Sequence, residues 1–428
     1  MRCNARCANS RDVLGARLLA AMLTTLVILS TAVLQGCAAS GEDPTAPEGP
    51  PPPILIPDTP LETPASPVRA VIDRTLLVAS PDYVDTRADA LAEADVLMFQ
   101  LRAILSPDGA ENVRRIRAIN PDVVVIGSIQ LLTIFPHWND SYHRERMTLG
   151  ARIWDAVHDR PARTTTGAVA PMWDRMTMLN PMRGGSLDEA MLNEVVEAFR
   201  SHFESYPGIA DGIMHDYTSE IPWIYPSPEE AGIGDVDLDG DGIGFPDDPA
   251  EHGVWIAWQE QLIRRLQTAI GPGLIQIANG RMAIERPSTI RLLAGAYFED
   301  FPTMTWHQSP RYGFDRLHEI TREEGLTPRR GRTWNLLAPP WTGSAGYLEM
   351  RQMANLLYDG SYAVAETRSA ELVAPDDAPI EAGNALGPAT HERLADGGSR
   401  YVRPYSDGNV VVEFASSGAV RSAGVAPR

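Results

Sequence analysis

Two carboxylates at the ends of short apolar runs carry the chemistry legible in this chain. Asp216 closes Gly212-Ile213-Met214-His215, and Glu299 closes Gly295-Ala296-Tyr297-Phe298. Two carboxyl groups facing one bond, one donating a proton while the other attacks or acts as base, are what glycosidic bond hydrolysis requires. Each has a competing reading. Asp216 would serve equally as a buried structural carboxylate holding the adjacent loop. Glu299 stands next to Asp300, whose side chain would point the opposite way in a continuing strand. Asn279 ends a third apolar run and is placed to hydrogen-bond a substrate hydroxyl. Gln100, Gln130, His137, Trp138, Trp334 and Glu366 occupy comparable strand-end positions, the two Trp either stacking on a substrate face or packing in the core, while Glu220 lies in a loop four residues beyond Asp216 as a substrate contact or a support for one. His215 alternates with Asp216 and reads as a core histidine.

A second acidic cluster follows Asp216 closely, in DVDLDGDGIGFPDD. Counting from Asp237, Asp239 falls third, Asp241 fifth, Gly242 sixth, the Ile243 carbonyl seventh and Asp248 twelfth. That is the spacing of a Ca²⁺ loop, with Gly at the sharp turn. The twelfth residue is Asp in place of Glu, and no helical pattern long enough for an EF-hand precedes the loop. The competing reading is a solvated Asp-Gly turn. With hard oxygen donors and no His, bound Ca²⁺ would brace the loop and take no part in hydrolysis. No Ser-His-Asp constellation and no GxSxG elbow is present, which weighs against an esterase.

These residues need a scaffold that brings strand ends to one mouth. From Val68 onward, β-rich runs alternate with helical patterns. Runs at Thr75–Ala79, Asp95–Gln100, Val123–Ile129 and Gly212–His215 precede four more at Leu274–Ala278, Gly295–Phe298, Arg332–Leu337 and Tyr362–Ala365. Helical spacing is clear in Glu111–Ile119, in the stretch after Ser186-Leu187-Asp188-Glu189, in Val254–Ile270 and in Gly346–Leu357. Eight strands separated mostly by helices predict an α/β fold, a (β/α)8 TIM barrel over residues 68–398. A doubly wound sheet has the same alternation, but no Gly-rich phosphate loop follows the first strand. Phe135 to Arg183 is too long for a plain connection and is expected to wall the mouth. Residues 399–428 contain two β runs around Ser406-Asp407-Gly408-Asn409, a hairpin signal that predicts a small C-terminal β appendage.

The N-terminus reads as an address. Arg2, Arg6, Arg11 and Arg17 precede an apolar stretch, Leu18 to Leu34. Leu34-Gln35-Gly36-Cys37 resembles the bacterial lipobox, which makes residues 1–36 a lipoprotein signal peptide and Cys37 the lipidated N-terminus. The competing reading is an uncleaved anchor helix. Ala38 after the Cys lacks the Asp that marks inner-membrane retention, so the outer membrane of a bacterial envelope is expected. Residues 37–67 are Pro-rich without an apolar period and predict an extended tether. Cys3 and Cys7 fall in the leader, so no disulfide framework and no Cys metal site is expected. The formal charge is −19, and loss of residues 1–36 takes away four Arg and Asp12 to leave −22. Such acidity argues against nucleic-acid binding, which needs a basic patch.

Several segments together resemble a known family. They are FQLRAILSPDGAENVRRIRAINPDVVVIGSI, GIMHDYTSE, DLDGDG, LIQIANG, AGAYFEDF and YVRPYSDGNVVVEF. In order and spacing the chain is similar to uncharacterised glycoside hydrolases related to the alpha-galactosidase superfamily, in particular hypothetical glycosyl hydrolase family 15. The resemblance implies a nucleophile after the fourth strand and an acid/base after the sixth. On this chain those are Asp216 and Glu299, with a retaining mechanism. A poly- or oligosaccharide substrate, acted on by a lipid-anchored enzyme, is the resulting expectation. Its alternative is a Ca²⁺-stabilised glycan-binding lipoprotein that has lost turnover, and a third is a purely structural envelope protein without a cleft.

Overall fold

The structure is a computed structural model. It describes residues 74–78, 88–173, 176–222, 236–245, 247–304, 307, 309–322, 324–338, 346–367 and 382–427. The expected signal peptide over residues 1–36, Cys37 and the Pro-rich stretch to Pro67 lie outside the described residues. No helix among those described is long and apolar enough to cross a membrane.

The chain is a mixed α/β protein built on parallel strands. They are β1 (Arg74–Val78), β2 (Val96–Gln100), β3 (Val124–Gln130), β4 (Gly212–Asp216), β5 (Ile275–Asn279), β6 (Gly295–Phe298), β7 (Asn335–Leu337) and β8 (Ser361–Thr367). Each is hydrogen-bonded in parallel to the next, and β8 returns to β1, so the strand order closes on itself. All eight expected runs are strands here. The seventh is shorter than expected, starting at Asn335 and not at Arg332.

Alternation along these strands sorts the side chains between two layers. Met98 on β2, Ile126 on β3, Met214 on β4, Ile277 on β5 and Tyr297 on β6 share one buried apolar cluster. Their register partners agree, Met98 with Ile126 and Met214 with Ile277. The polar residues two steps further along sit over this cluster: Gln100, Asp216, Asn279 and Glu299. Residues between them in sequence, such as Phe99 and Ile213, join a separate outer cluster with the helices.

The main covering helices are α1 (Pro107–Ile119), α2 (Glu189–Ser205), α3 (Pro249–Ile270), α4 (Pro310–Arg322) and α5 (Gly346–Leu357). Ser106 caps α1 by accepting from the Gly109 N–H, with Pro107 at the first helical position. In α2 the cap is Asp188, two residues past Ser186, accepting from the Met191 N–H at 3.1 Å. Leu192, Val195 and Phe199 lie on the buried face of α2, each contributing about 1.5–3 kcal/mol. Trp255, Trp258, Leu262 and Leu266 do the same for α3.

The long β3–β4 connection is built and not loose. A 3-10 turn (Pro136–Asn139) and a helix (Thr148–Val157) lie between the first strand and the other two of a three-stranded antiparallel sheet of Thr133–Ile134, Met176–Met178 and Pro171–Trp173. At the C-terminus, β9 (Thr390–Arg393), β10 (Ser399–Pro404), β11 (Asn409–Phe414) and β12 (Val420–Ala426) form a four-stranded antiparallel sheet. The expected hairpin is its middle pair, with Pro404 opposite Asn409. The sheet begins before residue 399 because Thr390–Arg393 pairs onto Ser399–Val402.

Candidate active site

Three neighbouring strands each have a polar residue at or just past their end, followed by a left-handed one. After Asp216 comes Tyr217 at φ 58°, after Asn279 comes Gly280 at φ 120°, and after Glu299 comes Asp300 at φ 59°. The left-handed residue turns the chain away at once, so the polar side chain stays over the apolar cluster below. Non-glycine residues in this region are uncommon and cluster at functional sites. The turn after Asp216 is stapled to β5, since both the backbone N–H and the hydroxyl of Thr218 donate to the Asn279 carbonyl, at 2.6 and 2.8 Å.

Asn279 joins the two candidate carboxylates. Its Nδ2 donates to Asp216 Oδ1 at 3.0 Å and to Glu299 Oε2 at 3.3 Å. Those two bonds bound the oxygen–oxygen separation at about 6.3 Å. A planar amide has two N–H bonds diverging by about 120°, so one nitrogen can serve both carboxylates at once. Asn279 Oδ1 is buried without a hydrogen-bond partner among the described residues. The same holds for Oε1 of Gln130, the register partner of Asp216 on β3. Two buried carbonyl oxygens beside Asp216 therefore still have acceptor capacity to offer a donor.

Burial pushes the Asp216 carboxyl above its ordinary range, opposed by the N–H donors of Asn279 and of the Tyr217 backbone. His215 faces the other way. Its Nε2 lies 3.0 Å from Gln276 Oε1, and burial lowers it to about 4, so it is a neutral packing residue as expected.

The remaining candidates fall in different places. Gln100 Oε1 accepts from Arg102 at 3.0 Å. Arg102 also reaches His143 Nε2 at 2.6 Å, and burial lowers its guanidinium to about 10. Glu220 is part-exposed and pairs with Arg286 at 3.0 Å. Trp138 is 3 % exposed, stacked on Phe135 at 4.5 Å and covered by Arg102, so it braces the wall and offers no free face. Trp334 precedes β7 and therefore lies at the amino end of the strands, stacked on Tyr362 with its indole N–H on the Arg329 carbonyl. Trp334 is thus corrected to a plug at the opposite end from Asp216, because the strand starts one residue after it. Glu366 is in β8 opposite Leu77.

The acidic loop is folded onto α3. Asp237 accepts from the Gly240 and Gly242 N–H groups at 2.6 and 2.9 Å, Asp239 from Asp241 at 3.1 Å and Asp241 from Ile243 at 2.7 Å. Asp248 caps α3, accepting from the Ala250 and Glu251 N–H groups. A residue without any motif position joins them. Glu251, 0 % exposed, accepts from the backbone N–H groups of Leu238 and Asp239. Acidic residues in the first turn of a helix are common for dipole reasons, so only its burial singles Glu251 out.

No family model matches the chain, and no curated protein matches it. Among solved structures, a debranching enzyme from Nostoc punctiforme is similar at 7% identity and TM-score 0.42, over 82% of this chain and 90% of that one. The chitinase domain of the spore coat protein CotE from Clostridium difficile matches at 14% identity and TM-score 0.32, over 63% of this chain and 65% of that one. An HpcH/HpaI aldolase from Desulfitobacterium hafniense matches at 10% identity and TM-score 0.28, over 70% of this chain and 87% of that one. Several of the similar structures are glycoside hydrolases, while the aldolase is not.

Proposed function

We propose that this protein is a glycoside hydrolase of (β/α)8 architecture that cleaves a poly- or oligosaccharide by a retaining mechanism, with Asp216 as nucleophile and Glu299 as acid/base. One observation carries the reading: a single Asn279 amide nitrogen donates to both carboxylates. Retaining enzymes hold the two carboxyl groups about 5–5.5 Å apart and inverting enzymes about 6.5–9.5 Å. A shared amide nitrogen supports the closer, retaining spacing. Glu299 would protonate the leaving oxygen while Asp216 attacks the anomeric carbon, and Glu299 would then take a proton from the water that releases the sugar. Asn279 and Tyr217 N–H groups favour the ionised Asp216 that attack requires. The segments resembling hypothetical glycosyl hydrolase family 15 agree with this assignment of roles. The lipobox at Cys37 and the Pro-rich tether would hold the enzyme on the bacterial envelope, at the outer membrane.

The test is a glycan and aryl-glycoside panel on the chain lacking residues 1–36, with Asp216→Asn and Glu299→Gln beside it. Glu299→Gln should lose roughly 10²–10⁴ in rate, and Asp216→Asn more. Azide added to Asp216→Gly should yield a glycosyl azide of inverted configuration, and to Glu299→Gly one of retained configuration. The opposite pattern would exchange the two roles. Tight glycan binding with no turnover by the unmodified chain would replace this reading with that of a non-catalytic glycan-binding lipoprotein.

A further inference from the structure

Glu251 is a fully buried carboxylate in the first turn of α3. Its Oε1 takes two backbone N–H groups, but Oε2 has no hydrogen-bond partner among the described residues. The charges acting on it are those of Asp237 and Asp239, of its own sign. An uncompensated buried charge beside two like charges is unfavourable unless the carboxyl takes up a proton or a cation shares the space. The side chains converge accordingly. One oxygen each from Asp237, Asp239 and Glu251 lies within 4.8 Å of the others, and the same is true of Asp239, Asp241 and Asp248. Asp239 belongs to both groups, and Asp237 is itself 5 % exposed. Oxygens at these separations, all hard and with no His or Cys among them, match Ca²⁺, which takes 6–8 oxygens at about 2.3–2.6 Å.

We propose that Asp237, Asp239, Asp241, Asp248 and the buried Glu251 hold one Ca²⁺ ion, which fastens the acidic loop to the first turn of α3 and thereby steadies the turn that follows Asp216. The second part rests on the next two turns of the helix. Trp255, four residues beyond Glu251, donates its indole N–H to the Ser219 carbonyl at 2.8 Å. Gln259, four further on, grips the same residue from both sides, donating to its carbonyl at 2.9 Å and accepting its N–H at 3.0 Å. Glu251, Trp255 and Gln259 thus line one face of α3, running from the loop to Ser219. The ion stands outside the reacting centre, and Glu251 supplies the deep carboxylate that the twelve-residue spacing lacks.

The test uses the chain without residues 1–36, stripped with EDTA and titrated with Ca²⁺ alone, and with Mg²⁺ alone in a parallel series. Ca²⁺ should raise the melting temperature, while Mg²⁺, which demands near-octahedral geometry, should not reproduce the increment. Glu251→Gln should weaken Ca²⁺ binding by at least about 10–100-fold, and its metal-free form should melt no lower than the metal-free parent. If Glu251→Gln does not fold, the exposed Asp241→Asn should show the same loss of increment. Hydrogen exchange of the Ser219 amide should slow on Ca²⁺ addition. Absence of a Ca²⁺ increment, or an unchanged affinity in Glu251→Gln, overturns the site. Ca²⁺ binding without any change at Ser219 overturns the coupling.

Discussion

Asp216 is costly to the fold in its ionised form, because burial raises its pKa and only two N–H groups oppose the shift. A carboxyl whose folded pKa exceeds its unfolded value stabilises the fold most at low pH, where it is protonated in both states. That contribution is lost as pH rises from its ordinary 3.8 through the raised value. Asp216→Asn removes the charge and keeps an acceptor for Asn279, so this variant should melt above the parent at pH 7, by roughly 2–4 °C for each kcal/mol relieved. The gap should close below pH 3.8; a variant that melts lower at neutral pH would contradict the account. Asn279→Ala removes a donor that favours the ionised form, so the acid limb of the kcat/KM profile should move to higher pH. The rate should fall by about 10–10², the worth of a charged hydrogen bond of about 1.5–3 kcal/mol. A profile unmoved by this change would show that Asp216 ionisation does not control the limb. The carboxylates and Asn279 were legible in the sequence because each ends an apolar run. Glu251 was not, since an acidic first-turn residue has an ordinary electrostatic reason to be there.

The elements position these residues through how each strand stops. Leaving Asn279 the chain must pass close to the Thr218 backbone, and a Cβ on Gly280 would lie 2.2 Å from the Thr218 carbonyl oxygen, at φ 120°. Gly280→Ala should therefore cost about 1–3 kcal/mol in backbone strain alone and displace the strand end that carries Asn279, lowering activity with it. Gly253 within α3 has open space around its Cβ position, so Gly253→Ala should instead stabilise by about 0.4–1 kcal/mol. Equal melting temperatures for the two variants would remove the argument. Strand existence was legible from apolar runs and turn residues, since β2 to β7 are largely buried on both sides. Strand ends were less so. Trp334 reads as strand-borne by its apolar neighbours, yet ladder pairing begins at Asn335, and that single step puts the indole at the far end of the strands. The Trp138 face failed as a platform for a tertiary reason, the packing of Phe135 and Arg102, which no local pattern encodes.

At the scale of the whole molecule, the C-terminal sheet is more than an appendage. Tyr401, Val412 and Phe414 are fully buried in one cluster with Phe298, Phe301 and Phe314. Tyr401 also hydrogen-bonds Asp315 of α4. Arg403, 4 % exposed, sets its fork on Asp359 at 2.8 and 2.7 Å and donates to the Leu356 carbonyl at 3.0 Å. The Tyr405 hydroxyl donates to that same carbonyl at 2.5 Å. The last turn of α5 is thus capped by the sheet, a substitute for the side-chain or glycine caps that helix ends otherwise use. The sequence displayed the hairpin through its turn residues, but not its partners, because pairing with α4 and α5 is long-range. Truncation after residue 388 should therefore strip the cap and expose the aromatic cluster. At about 1.5–3 kcal/mol for each large apolar side chain, losing Tyr401, Tyr405, Val412 and Phe414 approaches the ~5–15 kcal/mol that holds a domain folded. The truncated chain should be recovered as aggregate or without a cooperative thermal transition, while Arg403→Ala in the full chain should fold but lose about 1–3 kcal/mol. A soluble truncated chain melting cooperatively near the parent temperature would show instead that the parallel strands and their helices close their own core, and that the sheet is carried rather than required.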